Sequence, residues 1–402
     1  MNQFFESIQE YISEADFSLV SLVLLSVLGI SWIVQLFFYL YYYNAVIRRQ
    51  KQEYKGQVTH EIKRHPVSII VTARYATEEL EKFLPLILDQ NYPKYEVIVV
   101  NDGATEASTV LLDKLKSKHP NLKTSFLPMN AKYMSRRKMC ITIGKMAASY
   151  DYIIVTDSDC EPTSRDWLSE MMRNFTPEKE IVLGYSHQEQ EKTGFFASLL
   201  RFDNLFGAIK YMGYACHGLA YKGTTNNMAF RRETFDRCKA YASSLNLEKG
   251  EDDVFVSENN NGTNVAVELS TSSIIKSHKE LTFKKYLFQK DSNVETGSLY
   301  PSGIKFRIGL EVATRMLYYI SLISTIVYSL IEGEYLATGI AALAGLIRYG
   351  IQCYTFTTSA HIFNEKGYAF KFVIFEIIIP ILTLYIITFG RIGKKRQDLW
   401  KM

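Results

Sequence analysis

Residues 152–159 read YIIVTDSD, an apolar run that ends in two aspartates. A short unbroken apolar run bounded by polar residues predicts a parallel strand that is covered on both faces by helices. Residues 95–103 (YEVIVVNDG) end in Asp102 in the same way. Because ligands of open α/β sheets bind at the carboxyl ends of such strands, we expect Asp102, Asp157 and Asp159 to lie at one edge of a sheet.

The middle of the chain, from about residue 52 to 300, alternates short apolar runs with helical stretches. This alternation is typical of an α/β domain with a mostly parallel sheet. The pattern predicts a first strand at residues 67–72, and helices at 77–89, 106–118 and 135–149. Pro85 is expected to bend the first of these helices.

Apolar segments flank this domain. No charged residue occurs from Phe17 to Ile47, and about 20 apolar residues suffice to cross a bilayer as a helix. The segment lacks the basic start and cleavage site of a signal peptide, so it predicts a retained anchor. Three weaker apolar clusters follow at residues 316–331, 335–347 and 372–390. We therefore divide the chain into an anchor (1–52), a soluble domain (53–300) and a membrane region with two to three helices (301–402).

The charges beside these segments predict a topology. Acidic residues precede the anchor and Arg48, Arg49 and Lys51 follow it, so the positive-inside rule places the soluble domain in the cytoplasm. The basic tail from Arg391 to Met402 also suits a cytoplasmic membrane surface. Four full crossings would put that tail outside. Either one C-terminal cluster lies in the interface or re-enters, or the tail departs from the rule.

Four charged residues lie in or beside the C-terminal clusters. Glu311 and Arg315 are spaced i, i+4, and such a pair reduces the cost of placing charge in a membrane. Arg348 and Glu376 are expected to face protein or the membrane interface, and Pro380 predicts a kink.

The overall composition narrows the class of protein. The net charge of +4 belongs largely to the membrane-flanking segments and does not indicate nucleic-acid binding. The five cysteines lie far apart with no C-x-x-C motif, which argues against a zinc site or a disulfide framework and favours reduced thiols.

Six short motifs carry a family resemblance. They are VTAR (71–74), NYP (91–93), VVNDG (99–103), TDSDCEP (156–162), NMAFR (227–231) and GEDD (250–253). Over about residues 65–290 the chain resembles membrane-bound family 2 glycosyltransferases, the superfamily that includes cellulose and hyaluronan synthases. The resemblance implies a Rossmann-like GT-A fold flanked by transmembrane helices, a cytosolic nucleotide-sugar donor with UDP-sugars favoured, and inversion at the anomeric carbon. It also suggests the bacterial inner membrane.

Transfer from a nucleotide sugar requires a stabilised diphosphate leaving group, which a divalent cation with oxygen ligands supplies. Asp159 is the first predicted metal ligand and Asp157 the second, because residues two apart on an extended segment point the same way. We expect Mg²⁺ or Mn²⁺. The alternative is that the two acids cap a following helix.

Four residues are expected to bind the donor. Asp102 resembles the family's acid that contacts the base or ribose, although an Asn-Asp-Gly sequence is also ordinary turn chemistry. Asp157 would face the diphosphate. Arg74 follows the first strand and Lys138 ends the basic cluster 136–138. Either of these two cations could instead be a solvated charge.

Asp252 is the predicted general base, since the resemblance places the base in the GEDD motif, about 95 residues after Asp157. Glu251 or Asp253 could serve instead, and three adjacent acids also suit the start of a helix. We expect weaker donor or acceptor contacts from Glu251, Asp253, Asn227 and Gln289.

Three departures from the family pattern limit the interpretation. Gln289 is not followed by the Arg and aromatic residue of the Q-x-x-R-W motif, residues 223–227 lack a second glycine, and Tyr75 replaces an Asn. The first hypothesis is a metal-dependent inverting hexosyltransferase that acts on a lipid-linked or polysaccharide acceptor at the membrane. The alternative is a catalytically inactive nucleotide-binding membrane scaffold or sensor. The sequence names neither the sugar nor any partner subunit.

Overall fold

The computed structural model describes residues 17–127, 135–190, 194–237, 250–365 and 371–389. The helices are α1 (Leu19–Tyr54), α2 (Thr77–Leu88), α3 (Glu106–Lys118), α4 (Arg136–Ala147), α5 (Trp167–Met172), α6 (Phe195–Cys216), α7 (Arg232–Arg237), α8 (Glu251–Asn259), α9 (Phe283–Gly297), α10 (Ser302–Ile331), α11 (Tyr335–Ile362) and α12 (Lys371–Phe389). The strands are β1 (Val67–Arg74), β2 (Tyr95–Asp102), β3 (Leu122–Leu127), β4 (Tyr152–Asp157), β5 (Cys160–Pro162), β6 (Ile181–Leu183), β7 (Ser186–Gln188), β8 (Met228–Arg231), β9 (Val265–Val267) and β10 (Ile275–Ser277).

The central sheet has the strand order β3-β2-β1-β4-β8-β6-β9. β1 lies between β2 and β4 and is parallel to both, whereas β8 is antiparallel to its two neighbours. The apolar strand residues are fully buried, as Ile69, Ile98 and Ile154 illustrate, because helices cover both faces. The predicted mostly parallel α/β sheet is confirmed, and a second sheet of order β5-β10-β7 lies beside it.

Helix α4 packs closely on the sheet. A Cβ at Gly144 would lie 2.5 Å from Cγ2 of Ile70 on β1, so only glycine permits this approach. The approach places the first turn of α4 near the carboxyl ends of the strands. The three helices predicted from the pattern occur as α2, α3 and α4, and Pro85 lies inside α2.

Among the described residues, four helices are long and apolar enough to cross a membrane: α1, α10, α11 and α12. Helix α1 is continuous over 36 residues, with a π-helical stretch at Phe38–Tyr43. At a rise of 1.5 Å per residue it is about 54 Å long, which exceeds a hydrocarbon core of about 30 Å. Its second half therefore extends beyond that core, and it packs against α6.

Four charged residues inside these helices form one buried network: Glu311, Arg315, Arg348 and Glu376. Glu376 accepts hydrogen bonds from Tyr39, from Tyr319 at 2.8 Å and from Gln352 at 2.5 Å, and it lies 3.4 Å from Arg348. Arg315 contacts both Glu376 and Glu311, at 4.0 and 3.4 Å. The predicted i, i+4 pair is present, and Arg348 and Glu376 face protein as expected. This internal pairing lets α10 and α11 extend past the charges that bounded their predicted apolar clusters.

Contacts at the helix ends show how the helices run. The backbone N–H of Ser18 donates to Glu334 in the turn between α10 and α11, at 2.8 Å. At the opposite end, Lys51 lies 3.2 Å from the hydroxyl of Tyr354, and Tyr185 of the α/β domain donates to Glu365. The start of α1 therefore lies beside the turn between α10 and α11. The end of α1 and the end of α11 lie together on the opposite side, next to the α/β domain. Helix α12 packs chiefly against α6 and α9, and the basic tail lies outside the described residues.

Candidate active site

The carboxyl ends of three neighbouring strands form one polar edge. The register of β1 sets Arg74 opposite Asp102 of β2 and Thr72 opposite Asp157 of β4. The Thr72 hydroxyl donates to Oδ1 of Asp157 at 2.5 Å. The prediction that Asp102 and Asp157 share one edge of the sheet is therefore confirmed.

Two consecutive arginines at the start of α4 pair with these acids. The guanidinium of Arg136 donates to both carboxylate oxygens of Asp102, from Nε at 2.9 Å and through Nη2. Nη2 of Arg137 donates to Oδ2 of Asp157 at 2.7 Å. Arg74 is more distant, with Nε 3.6 Å from Asp102. Each strand-end acid thus has a cationic partner from the chain itself.

Lys138 is placed differently from its two basic neighbours. Its side chain is fully buried in the domain, so it is not a solvated charge, and in this conformation it offers no surface to a donor. The basic cluster does reach the polar edge, but through Arg136 and Arg137. Sequence reasoning missed both, although each stood in the cluster that it singled out.

The chain turns sharply after β4. The N–H of Ser158 donates to the carbonyl of Thr72 at 2.9 Å, and the chain then enters β5. Because a strand follows Asp159 directly and α5 begins only at Trp167, with Asp166 as its N-cap residue, the helix-capping interpretation of Asp157 and Asp159 is wrong. Burial and the nearby charge of Asp157 raise the pKa of Asp159. Two carboxylates therefore lie close together, one of them poorly solvated.

Asp252 lies at the start of α8, after Gly250, whose φ of +91° suits glycine. Its Oδ2 accepts a hydrogen bond from the backbone N–H of Thr225 at 3.2 Å. The next residue, Asn226, accepts a hydrogen bond from Nη2 of Arg137 at 3.2 Å. A chain of direct contacts thus joins Asp252 to Arg137, and through Arg137 to Asp157.

Asp253 points into the domain, with only 1% of its surface exposed. Its Oδ2 accepts hydrogen bonds from Lys222 at 3.0 Å and from the hydroxyl of Tyr300 at 2.5 Å. Burial raises the pKa of this carboxyl to about 6, although Lys222 and Tyr300 both favour its charged form. This enclosure argues against Asp253 as a base that meets an acceptor.

The weaker predicted contacts have varied positions. Asn227 is fully buried, donates to the carbonyls of Tyr185 and Ser273 at 2.8 Å, and accepts from Trp167 at 3.0 Å. Its amide is thus occupied within the fold. Gln289 is exposed on α9, and the side chain of Glu251 lies outside the described part of the structure.

Comparison with known proteins identifies the domain. Residues 68–239 match the family described as glycosyl transferase family 2. These residues are a family 2 glycosyltransferase domain. An uncharacterized glycosyltransferase from Haemophilus influenzae is 28% identical over 121 residues, which are 30% of this chain and 46% of that relative. The chain thus spans less than half of the relative's length.

One solved structure shares the GT-A architecture of this glycosyltransferase domain. The mannosyltransferase PcManGT from Pyrobaculum calidifontis, in complex with GDP-Man and Mn²⁺, superposes with a TM-score of 0.51. The match covers 90% of this chain and 99% of that one at 15% sequence identity, so it supports the fold alone. TarS 1–349 from S. aureus, in complex with UDP-GlcNAc, matches 74% of this chain and 89% of its own at 13% identity, with a TM-score of 0.41.

The polar edge of the glycosyltransferase domain has ligands for a hard cation. Asp157 and Asp159 offer carboxylate oxygens, which Mg²⁺ and Mn²⁺ prefer. Among the described residues, no group of three or more Asp, Glu, His or Cys side chains could hold a metal. Mg²⁺ commonly uses one or two carboxylates and completes its shell with water and substrate phosphates. The donor set therefore fits a cation held jointly by the protein and a diphosphate.

Proposed function

We propose that this chain is an inverting, metal-dependent glycosyltransferase that moves a hexose from a nucleotide sugar, with UDP-sugars favoured, to a lipid-linked or polysaccharide acceptor at the membrane. The observation that carries the proposal is the contact chain from Asp252 through Thr225, Asn226 and Arg137 to Asp157. These contacts bring Asp252, which is partly exposed, close to the edge where a donor diphosphate would bind. A displacement reaction needs a base in that position.

The donor side of the site is assigned to the strand ends and to α4. Asp159 and Asp157 would hold Mg²⁺ or Mn²⁺, which when bound neutralises charge on the departing diphosphate. Arg136 and Arg74 fix the carboxylate of Asp102, so that its orientation toward the nucleoside is set before the donor arrives. We keep Lys138 on the donor side only because it lies on α4 beside Arg136 and Arg137.

On the acceptor side, Asp252 would take the proton of the attacking hydroxyl. The acceptor oxygen bonds to the anomeric carbon as the bond between that carbon and the diphosphate oxygen breaks, which inverts the configuration. The N–H groups of Thr225 and Asp253 hold one oxygen each of Asp252, at 3.2 and 3.0 Å. These two bonds fix the orientation of the Asp252 carboxylate.

The membrane part supports an acceptor that is presented at a lipid surface. In the described part of the chain, helix α1 precedes the catalytic domain and three apolar helices follow it. We keep the divisions 1–52, 53–300 and 301–402 as a proposal, although α1 continues to Tyr54. Arg48, Arg49 and Lys51 lie near the domain end of α1, which supports a cytoplasmic domain. We keep the bacterial inner membrane as the proposed location. A membrane-bound synthase of the cellulose or hyaluronan type is the finer assignment.

The test uses the full chain in lipid nanodiscs. Labelled UDP- and GDP-sugars are supplied with membrane lipid extract and Mn²⁺ or Mg²⁺, and both transfer and donor hydrolysis are measured. The variant Asp252→Asn should lose at least about 100-fold in turnover, in line with the usual contribution of a general base, while it keeps its donor affinity. Glu258→Gln, an exposed acid on the same helix, is the matched control and should behave as the unmodified chain.

Two results would count against the proposal. If folded protein neither transfers nor hydrolyses any of these donors, transferase activity is refuted and a binding scaffold or sensor is favoured. If Asp252→Asn turns over at the normal rate, the chain is a transferase with a different base.

A further inference from the structure

The cluster around Asp253 lies next to the proposed base but takes no part in the proposed chemistry. Lys222 and Tyr300 both bind Oδ2 of Asp253, whereas Oδ1 has no hydrogen-bond partner among the described residues. A buried acceptor without a partner destabilises the folded state, because it has lost its hydrogen bonds to water. A carboxylate held despite this destabilisation calls for an explanation beyond packing, because an apolar side chain would avoid it.

Tyr300 connects this cluster to the membrane part. It precedes Pro301, which caps α10, so its hydroxyl ties Asp253 to the start of that helix. Its ring lies 5.1 Å from the ring of Tyr221, which in turn lies 5.4 Å from that of Tyr214 on α6. Tyr214 stacks on Tyr42 of α1 at 4.3 Å. A continuous row of aromatic rings thus links the start of α8 to two membrane helices.

The first turn of α8 is confined from a second side as well. A Cβ at Gly250 would lie 2.1 Å from Oγ1 of Thr296, near the end of α9. Thr296 is itself buried. The backbone that carries Asp252 is therefore enclosed between the end of α9 and the Asp253 cluster.

We propose that Asp253 is a positioning residue, which through Lys222 and Tyr300 fixes the start of α8, and with it Asp252, relative to the membrane helix α10. This inference rests on the proposed role of Asp252 as general base. Asp253 does not contact the acceptor itself, because its side chain is buried and its Oδ2 already accepts hydrogen bonds from Lys222 and Tyr300. Displacement of a catalytic group by about 1 Å can lower the rate roughly 100-fold, so a secure attachment of this turn matters for turnover.

The same contacts imply a pH signature. The groups that face Asp253 are Lys222, Asp252 on the same helix, Tyr300, Tyr221, and Tyr211 on α6. Lys222 and the Tyr300 hydroxyl favour the carboxylate. Loss of the hydroxyl raises the pKa of Asp253, so its ion pair with Lys222 is lost at a higher pH. A merely structural role for Tyr300 would lower activity evenly across the pH range.

The experiment compares Tyr300→Phe with Tyr221→Phe in the full chain in nanodiscs. Tyr221→Phe removes the same kind of hydroxyl from the ring that contacts Tyr300. Tyr300→Phe is expected to lower kcat roughly 10- to 100-fold, to leave the donor dissociation constant within about twofold, and to move the acid limb of the kcat profile to higher pH. Tyr221→Phe should match the unmodified chain. Should Tyr300→Phe fail to fold, Asp253→Asn replaces it. It should lose kcat to a similar extent, and the acid limb should then lose the contribution of Asp253.

The outcomes separate this inference from the proposed function. If Asp252→Asn is inactive and Tyr300→Phe keeps normal kcat and a normal pH profile, the positioning role is refuted and the base assignment stands. If Asp252→Asn retains turnover, both are refuted. An equal loss in Tyr300→Phe and Tyr221→Phe would also overturn the positioning role, because packing alone would then explain the effect.

Discussion

The substitution Glu376→Gln tests whether the buried charges hold the membrane helices together. Glu376 is fully buried and lies within 4.0 Å of both Arg315 and Arg348. Glutamine keeps the shape but leaves two buried guanidinium groups with less opposing charge. Removal of one partner of a buried ion pair costs about 3–5 kcal/mol, which corresponds to a fall in Tm of roughly 6 to 10 °C at about 2 °C per kcal/mol.

Thermal unfolding in nanodiscs measures this effect. Glu332→Gln makes the same chemical change on the exposed turn after α10 and should leave Tm unchanged. The double variant Glu376→Gln with Arg348→Met removes both members of the closest pair, so it should recover part of the loss. An unchanged Tm in Glu376→Gln, or a double variant less stable than the single one, would refute the reasoning.

Three further predictions concern the site and the topology. Removal of divalent cations with EDTA should weaken donor binding at least roughly tenfold, as measured by titration with donor. Asp159→Asn should raise the Mn²⁺ concentration for half-maximal turnover, as measured by titration with Mn²⁺. Arg136→Gln should weaken donor binding roughly tenfold in calorimetry, because Asp102 loses a bidentate partner. Lys118→Gln, at an exposed position on α3, is the control and should leave donor binding unchanged. A cysteine at Glu332 should react with an impermeant maleimide only from the side opposite the catalytic domain. Reaction from the domain side would contradict the arrangement of α10 and α11.

Strands β1, β2 and β4 and helices α2 to α4 follow from local pattern, so the sequence predicts them, whereas it gives no comparable signal for the three-residue strands. The apolar run of β4 shows its burial in the sequence itself, and Asp157 marks its end. The membrane helices were harder to delimit. From hydropathy alone, the apolar cluster of α11 ends before Arg348, because a charge is unfavourable in a membrane. The residue that neutralises this charge, Glu376, lies 28 residues away on another helix, so the local sequence does not show the pairing.

The candidate site shows the same division between local and distant information. The local sequence shows that two strands end in Asp102 and Asp157. Which of three consecutive basic residues reaches these acids depends instead on the angle at which α4 meets the sheet. Successive helical residues point about 100° apart, so Arg136, Arg137 and Lys138 face different surroundings. Tyr300 likewise carried no local signal, since its contact with Asp253 spans 47 residues.

The pairing of Arg137 with Asp157 has a consequence for the order in which ligands can enter. A bare divalent cation held by Asp157 would compete with this guanidinium for the charge of the carboxylate and would offer it no new anion. A cation that arrives already bound to a diphosphate brings that anion, so ion pairs are exchanged and none is lost. We expect uptake of the preformed cation–nucleotide complex to be the favoured route, with the arginine passing from the protein's carboxylate to the donor's phosphate.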